Sequence, residues 1–289
     1  MKTSTAAIHS VALFSFAACL GLPRVFAAEA AAQPVHSCTE MERFLLTAHS
    51  GVFKPVAAGV TGTHKMTLDD VNMRHDAHLQ TIDERKTEFQ GANGTSELNF
   101  WDSYKYNSAA YELAKLLNLN MVPPYVERSL LGNRGSVSWW IDNAMMESDR
   151  HKKSVAIPDI DDWNRQMYLV RVFHELVYDT DPNLTNLLIT KDWQLWIIDL
   201  TRAFRLSDKL REEKNLVQCD RRLLARLREI DRDMLKEKLG AWLTNSEIKA
   251  LDARRAKIVR FFDNQVKSKG ESAVLFDTPR TAQPCGTGL

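Results

Sequence analysis

Several catalytic signatures are missing from this chain, and each absence closes a route. There is no Gly-x-Ser-x-Gly to form the strained turn of a hydrolase nucleophile, and no Gly-Lys-Ser/Thr to close a Walker-type phosphate loop. His174 and Glu175 begin like a zinc-protease helix, but Tyr178 stands where the second histidine is needed. No pair among the four cysteines has metal-ligand spacing. Charge is balanced, 38 Lys and Arg against 37 Asp and Glu. The net charge of +1 therefore gives no general attraction to nucleic acid or to an anionic membrane. Basic residues concentrate over 202–260, but Asp and Glu interleave with them, the pattern of solvated helix faces. Past the N-terminal segment no apolar run is long enough to cross a bilayer, and no internal repeat is visible. What remains is a chain of 289 residues, 44% hydrophobic and 26% charged. It has enough apolar residues for a sizeable core in one large domain or in two lobes.

The N-terminus reads differently. Lys2 precedes an apolar stretch over 6–22, and the small residue Ala27 follows Val25 and Phe26, so a signal peptide is expected over 1–27. Export to a periplasm or secretion follows from it. An uncleaved membrane anchor is an alternative, and so is lipidation at Cys19, where Phe16, Ala17 and Ala18 weakly resemble a lipoprotein box. Cleavage leaves Cys38, Cys219 and Cys285, which allows one disulfide with a thiol left over, or three isolated thiols.

Residues 28–54 read as a linker with a short helix over 41–48. Over 55–141, Gly59 and Gly62 separate short β-prone runs, AHLQTID alternates like a strand, and QGANGTSE is a polar loop. A helix is expected over 103–117 with Leu113, Leu116 and Leu117 on one face. Strands are expected over 125–130 and 136–141, around a turn from Gly132 to Gly135. Over 142–268 the pattern is mainly helical. A helix over 163–178 carries Met167, Val170, Phe173 and Val177 at helical spacing, and a hairpin spans 187–198. An amphipathic helix over 220–239 ends at Gly240, and a last helix starts at the Thr244/Glu247 capping box. Residues 269–289 read as a loose tail. The class is α+β, a strand-rich part followed by a helical one.

The segment DPNLTN over 181–186, followed thirteen residues later by Asp199, carries the chemistry. Phosphoryl transfer needs positioning and charge neutralisation more than covalent work. Asp181 can orient or deprotonate an acceptor hydroxyl, while Asn186 and Asp199 can hold a divalent cation against nucleotide phosphates. The intervening hairpin gives both metal ligands one rigid support. Taken singly, DPN is a common turn, and an aspartate after an apolar strand is a common loop start. Spacing, hairpin and preceding helix together favour the phosphoryl-transfer site.

Residues 181–186 resemble the catalytic loop of the protein-kinase-like superfamily, and Ile197, Ile198 and Asp199 resemble the strand entering its metal-binding aspartate. The likeness is to atypical members: the HipA kinases, the Golgi casein kinase family and phosphatidylinositol 3-/4-kinase-like bacterial proteins. These carry an Asp…Asn loop and a hydrophobic-Asp motif without a strict Phe-Gly. The segment SYKYNSAAYELAKLLNLNMVPPYVER over 103–128 resembles the helix-then-strand passage of such bacterial proteins. Three dipeptides depart from the pattern. Asp179 and Thr180 replace His-Arg, Pro182 and Asn183 replace Arg-His, and Leu200 and Thr201 replace Phe-Gly.

The resemblance implies a two-lobed protein-kinase-like fold with an N-lobe over 55–141 and a C-lobe over 142–268. It implies ATP and magnesium as cofactors, and a hydroxyl acceptor that is a protein, a lipid headgroup or a small molecule. Asp181 would be the catalytic base, and Asn186 and Asp199 the metal ligands. Such a site also wants a strand lysine paired with a helix carboxylate. Lys86 is the first choice, with Lys65 and Lys105 as rivals. Glu112 is the one glutamate well inside the 103–117 helix, while Asn107 stands where the family pattern has glutamate. Gly59 and Gly62 would cover the phosphates, or form an ordinary turn. Trp139 and Trp140 would flank the adenine, or belong to the core. Arg202 and Arg205 would contact phosphate, or form ion pairs with the acidic residues of nearby helices. A glycan on the sequon at Asn183 would block the loop in a eukaryotic lumen. Two other readings stay open: a pseudokinase that binds or scaffolds, and a small-molecule kinase of the aminoglycoside-phosphotransferase type.

Overall fold

A computed structural model describes residues 36–55, 63–90, 94, 96–130 and 132–278, without the side chains of 52–55 and 99. The expected signal peptide, Cys19, Gly59, Gly62 and Cys285 lie outside the described residues. In chain order the N-terminal half runs α1 (Cys38–Thr47), β1 (His49–Pro55), β2 (His64–Asp69), β3 (Arg74–Gln80), β4 (Asp83–Gln90), β5 (Ser96–Ser103), α2 (Lys105–Leu116), β6 (Tyr125–Leu130) and β7 (Asn133–Trp139). An antiparallel sheet in the order β1-β2-β3-β7-β6 forms its frame.

Successive residues of a strand face opposite ways. On β3, Ala77 and Leu79 are buried in a small core with Met66, Leu68, Val137 and the α1 residues Phe44 and Leu45. His78 and Gln80 therefore turn to the other face. Gly135 lets β7 approach β3 closely, since a Cβ there would collide with the Gln80 carbonyl. Helix α1 starts at a capping box, in which the Glu40 N–H donates to the Ser37 hydroxyl at 3.3 Å and the Ser37 N–H to the Glu40 carboxylate at 2.8 Å. Its C-terminal end is held by Arg128, which donates to the carbonyls of Leu45 (2.7 Å) and Ala48 (3.0 Å). Glu42 of α1 accepts from Tyr111 (2.6 Å) and Lys115 (2.8 Å), tying α1 to α2.

The C-terminal half runs β8 (Met145–Met146), α3 (Glu147–Lys152), α4 (Ile160–Val177), β9 (Leu187–Ile189), β10 (Leu195–Ile197), β11 (Cys219–Asp220), α5 (Arg221–Glu229), α6 (Arg232–Leu239), α7 (Asn245–Lys269), α8 (Glu271–Val274) and β12 (Leu275–Phe276). Its large core joins Leu113 of α2 with Phe173 and Val177 of α4, Ile189 and Ile197 of the hairpin, and Leu251 and Phe262 of α7. The mixed α+β architecture has a strand-rich N-terminal part and a helical C-terminal part, as expected.

Several local expectations change. The β4–β5 hairpin was not expected, because β4 (DERKTEFQ) is almost entirely exposed and lacks an alternating apolar face. The single helix over 220–239 is two helices, since Asp231 caps α6 from inside the amphipathic run by accepting the Met234 N–H at 2.8 Å. Part of the tail is ordered, with β12 pairing in parallel with β11. Cys38 is disulfide-bonded, and Cys219 is a buried free thiol whose pKa burial pushes up. No helix among the described residues is long and apolar enough to cross a membrane.

Candidate active site

Helix α4 stops because Tyr178 takes a left-handed conformation, φ 51°, which swings the chain into the 179–186 loop. The buried Asp179 shapes that loop by accepting the Asp181 N–H at 3.0 Å, and His174 Nδ1 lies 2.9 Å from its other oxygen. Strand β9 leaves the loop, and β10 returns beside it in register, Leu187 opposite Ile197. The Ile198 N–H then donates to the Asn186 carbonyl at 2.9 Å, which sets Asp199 next to Asn186. The Asn186 amide reaches the Asp181 carbonyl at 3.4 Å. Asp181, Asn186 and Asp199 thus come together through the hairpin.

Asp199 is itself left-handed, φ 56°, in a conformation that costs an aspartate on the order of 1 kcal/mol and is found at functional sites. Its carboxylate accepts from the Gln80 amide at 2.7 Å and from the Thr201 hydroxyl at 3.2 Å. Burial raises its pKa. The negative charges of Asp102 and Asp181 add to the rise, while the Gln80 and Thr201 bonds oppose it. Burial likewise raises the pKa of Asp102, at the end of β5, and one of its oxygens is buried with no hydrogen-bond partner.

Buried carboxylates that repel one another, one with an unsatisfied oxygen, suit a hard divalent cation. No three Asp, Glu, His or Cys side chains among the described residues form a metal cluster on their own. A small divalent cation keeps waters and takes one or two carboxylates together with phosphate oxygens. Asn186 and Asp199 would supply the protein ligands.

The lysine–glutamate pair is where the structure departs from expectation. Lys86 lies exposed on β4 and pairs with Glu84 at 2.7 Å, while Glu112 pairs with Lys115 at 3.0 Å, so the two do not meet. Of the rivals, Lys65 pairs with Asp76 and Lys105 with Asp83, each at 2.8 Å. The place between β3, α2 and Asp199 belongs to Gln80 and Asn107, joined at 2.5 Å. Gln80 was missed, although the alternation of AHLQTID already put it on a polar face with His78. Asn107 had been marked as the residue standing where glutamate was expected.

Trp139 packs against the small core and stacks on His75 at 3.6 Å, which favours the core reading for it; Trp140 lies under the Lys65 ammonium at 4.0 Å. Arg202 is ion-paired with Glu97 of β5 and sits 3.8 Å from Asp181; Arg205 pairs with the same Glu97 at 2.8 Å. Beside them a cavity of about 750 Å³ opens between the β4–β5 hairpin and the 204–207 segment, lined by Arg85, Trp101, Thr180, Phe204 and Arg205 among others.

No protein-family model matches the chain, and no curated protein matches it in sequence. Solved structures do match. A structure of hydra Fam20 with sugar superposes with a TM-score of 0.62 at 12% identity, over 84% of this chain and 93% of that one. The Golgi casein kinase gives 0.58 at 13% identity, over 84% and 81%. The Golgi casein kinase with Mn/ADP bound gives 0.57 at 13% identity, over 84% and 80%. At these identities the likeness is one of fold.

Proposed function

Starting from the fold of the protein-kinase-like superfamily, atypical branch, we propose that this protein is an ATP- and magnesium-dependent phosphotransferase acting on a hydroxyl acceptor. The observation that carries the reading is the meeting of Asp181, Asn186 and Asp199 at the mouth of one hairpin. In it, the Asp181 carboxylate accepts the acceptor's hydroxyl proton, and Asn186 and Asp199 hold the cation that neutralises phosphate charge. Arg202, 3.8 Å from Asp181, sets a positive charge beside that carboxylate. The acceptor enters by the cavity beneath the β4–β5 hairpin, next to Thr180. The manganese and ADP bound to the structurally similar Golgi casein kinase support a nucleotide and a divalent cation here. The N-terminal segment adds a proposed export, which requires nucleotide to be supplied outside the cytoplasm.

A nucleotide-binding pseudokinase is the second reading, favoured by the neutral Gln80–Asn107 pair where an ion pair was expected. A thermal-shift titration with ATP and magnesium tests the site, since a ligand of the native state alone stabilises it by mass action. A magnesium-dependent rise, absent in Asp199→Ala, is the expected result. No shift at millimolar ligand with folded protein would remove the nucleotide reading. Binding without turnover across protein, lipid and small-molecule acceptors would favour the pseudokinase.

A further inference from the structure

Gln80 and Asn107 are both fully buried. Buried amides are costly unless satisfied, and these are satisfied in one direction only. The Leu200 N–H is a fixed donor and lies 2.8 Å from the Asn107 side chain, so that atom is the Asn107 carbonyl oxygen. The Asn107 NH₂ must then face Gln80, at 2.5 Å, with the Ser136 hydroxyl at 3.3 Å. The Gln80 NH₂ must in turn face the Asp199 carboxylate, at 2.7 Å. One backbone N–H thus sets the polarity of the whole chain of contacts, and its last donor orients Asp199. Among the described residues no lysine or arginine forms an ion pair with Asp199; Lys65, Lys86 and Lys105 are each held by other carboxylates.

We propose that Gln80 and Asn107 are positioning residues for Asp199, a neutral amide relay between β3 and α2 in the place of a lysine–carboxylate pair, so that nucleotide binding depends wholly on a divalent cation. The proposal rests on the nucleotide-binding reading above. A lysine can meet phosphate without metal, whereas an amide that only orients a carboxylate cannot, and an aspartate repels phosphate until a cation lies between them. The relay is also co-dependent. Lysine at 80 alone would set its ammonium against the Asn107 NH₂, donor against donor. With aspartate at 107 both contacts are restored, because a carboxylate accepts from the ammonium and from the Leu200 N–H together.

Calorimetry with ADP on the full chain tests this, with Mn²⁺ and then with chelator. Electron paramagnetic resonance with Mn²⁺ alone, and the metal-free melting temperature, serve as readouts independent of nucleotide. Wild type should bind ADP with Mn²⁺ and show no binding in chelator. Gln80→Met, similar in shape but without donors, should weaken Mn²⁺·ADP binding about tenfold or more, the size of a lost hydrogen bond to a charged group. It should weaken Mn²⁺ alone as well. The paired Gln80→Lys, Asn107→Asp variant should gain ADP binding in chelator.

Equal binding by wild type with and without metal overturns the proposal, as does wild-type Mn²⁺·ADP affinity in Gln80→Met. A purely structural role would lower the melting temperature and leave the metal dependence untouched, which also overturns it. If Gln80→Met does not fold, the paired variant decides: metal-independent ADP binding supports the relay, and its absence rejects it. No ADP binding by folded wild type under any condition rejects the nucleotide-binding reading together with this one.

Discussion

Two faces of the candidate site handle charge in opposite ways. On one face, Asp181 and Asp199 crowd together with Asp102, which comes from the end of β5 in the N-terminal half, and burial leaves Asp199 and Asp102 with raised pKa values. On the other face, β3, α2 and β7 present Gln80, Asn107, Ser136 and Ser138, all buried and all neutral. One face concentrates negative charge. The other supplies hydrogen-bond direction without charge. A site of this kind separates two tasks that a lysine–carboxylate pair combines, namely orienting the metal ligand and neutralising phosphate.

The difference can be broken from either side. The largest effect is expected at Asp181. Asp181→Asn removes the proton acceptor and should lower turnover by roughly 10²–10⁴-fold, with the magnesium-dependent thermal shift retained. Turnover and thermal shift measured on one preparation would check it, and unchanged turnover would remove Asp181 from the chemistry. Next comes the support of the neutral side. Gly135→Ala forces a Cβ against the Gln80 carbonyl and should destabilise the protein by roughly 1–3 kcal/mol in denaturant unfolding.

A smaller effect tests the crowded carboxylates. The Asp199 pKa is raised by burial above its ordinary 3.8, so the unfolded chain ionises first as pH rises. The folded state is therefore penalised above pH 3.8, and the penalty stops growing once the folded pKa is passed. Asp199→Asn should be the more stable protein at neutral pH without metal, and the gap should close toward pH 4. A pH series of metal-free melting temperatures in which the two proteins run parallel would contradict this. The smallest effect belongs to Lys86. It lies exposed in a surface ion pair with Glu84, so Lys86→Ala should change stability by less than about 0.5 kcal/mol and leave nucleotide binding as it was. A loss of binding there would restore Lys86 as the phosphate lysine and weaken the contrast between the two sides.

Legibility in the sequence followed the same division. Asp181, Asn186 and Asp199 were visible because one short hairpin fixes them within twenty residues of chain, and its turn and apolar strands are local signals. Capping at Thr244 and Glu247 was legible for the same reason: the two residues sit three apart and bond to each other in the structure. The Gln80 partner was not legible. Gln80 and Asn107 are 27 residues apart, with the whole β4–β5 hairpin between them. The choice of Lys86 rested on a strand ending where a second, exposed hairpin begins. Nothing in DERKTEFQ announces a strand, since its side chains are nearly all in solvent.

By itself the sequence determined the α+β class, the order of strand-rich and helical parts, and the hairpin spacing that brings Asp181, Asn186 and Asp199 together. These depend on periodicity, caps and spacing, interactions that reach only a few residues along the chain. Only the tertiary structure decided which groups meet that site from β3 and α2. That choice was made by the packing of β7 against β3 at Gly135, the face α2 turns toward the Leu200 N–H, and the burial that makes each amide find its partner.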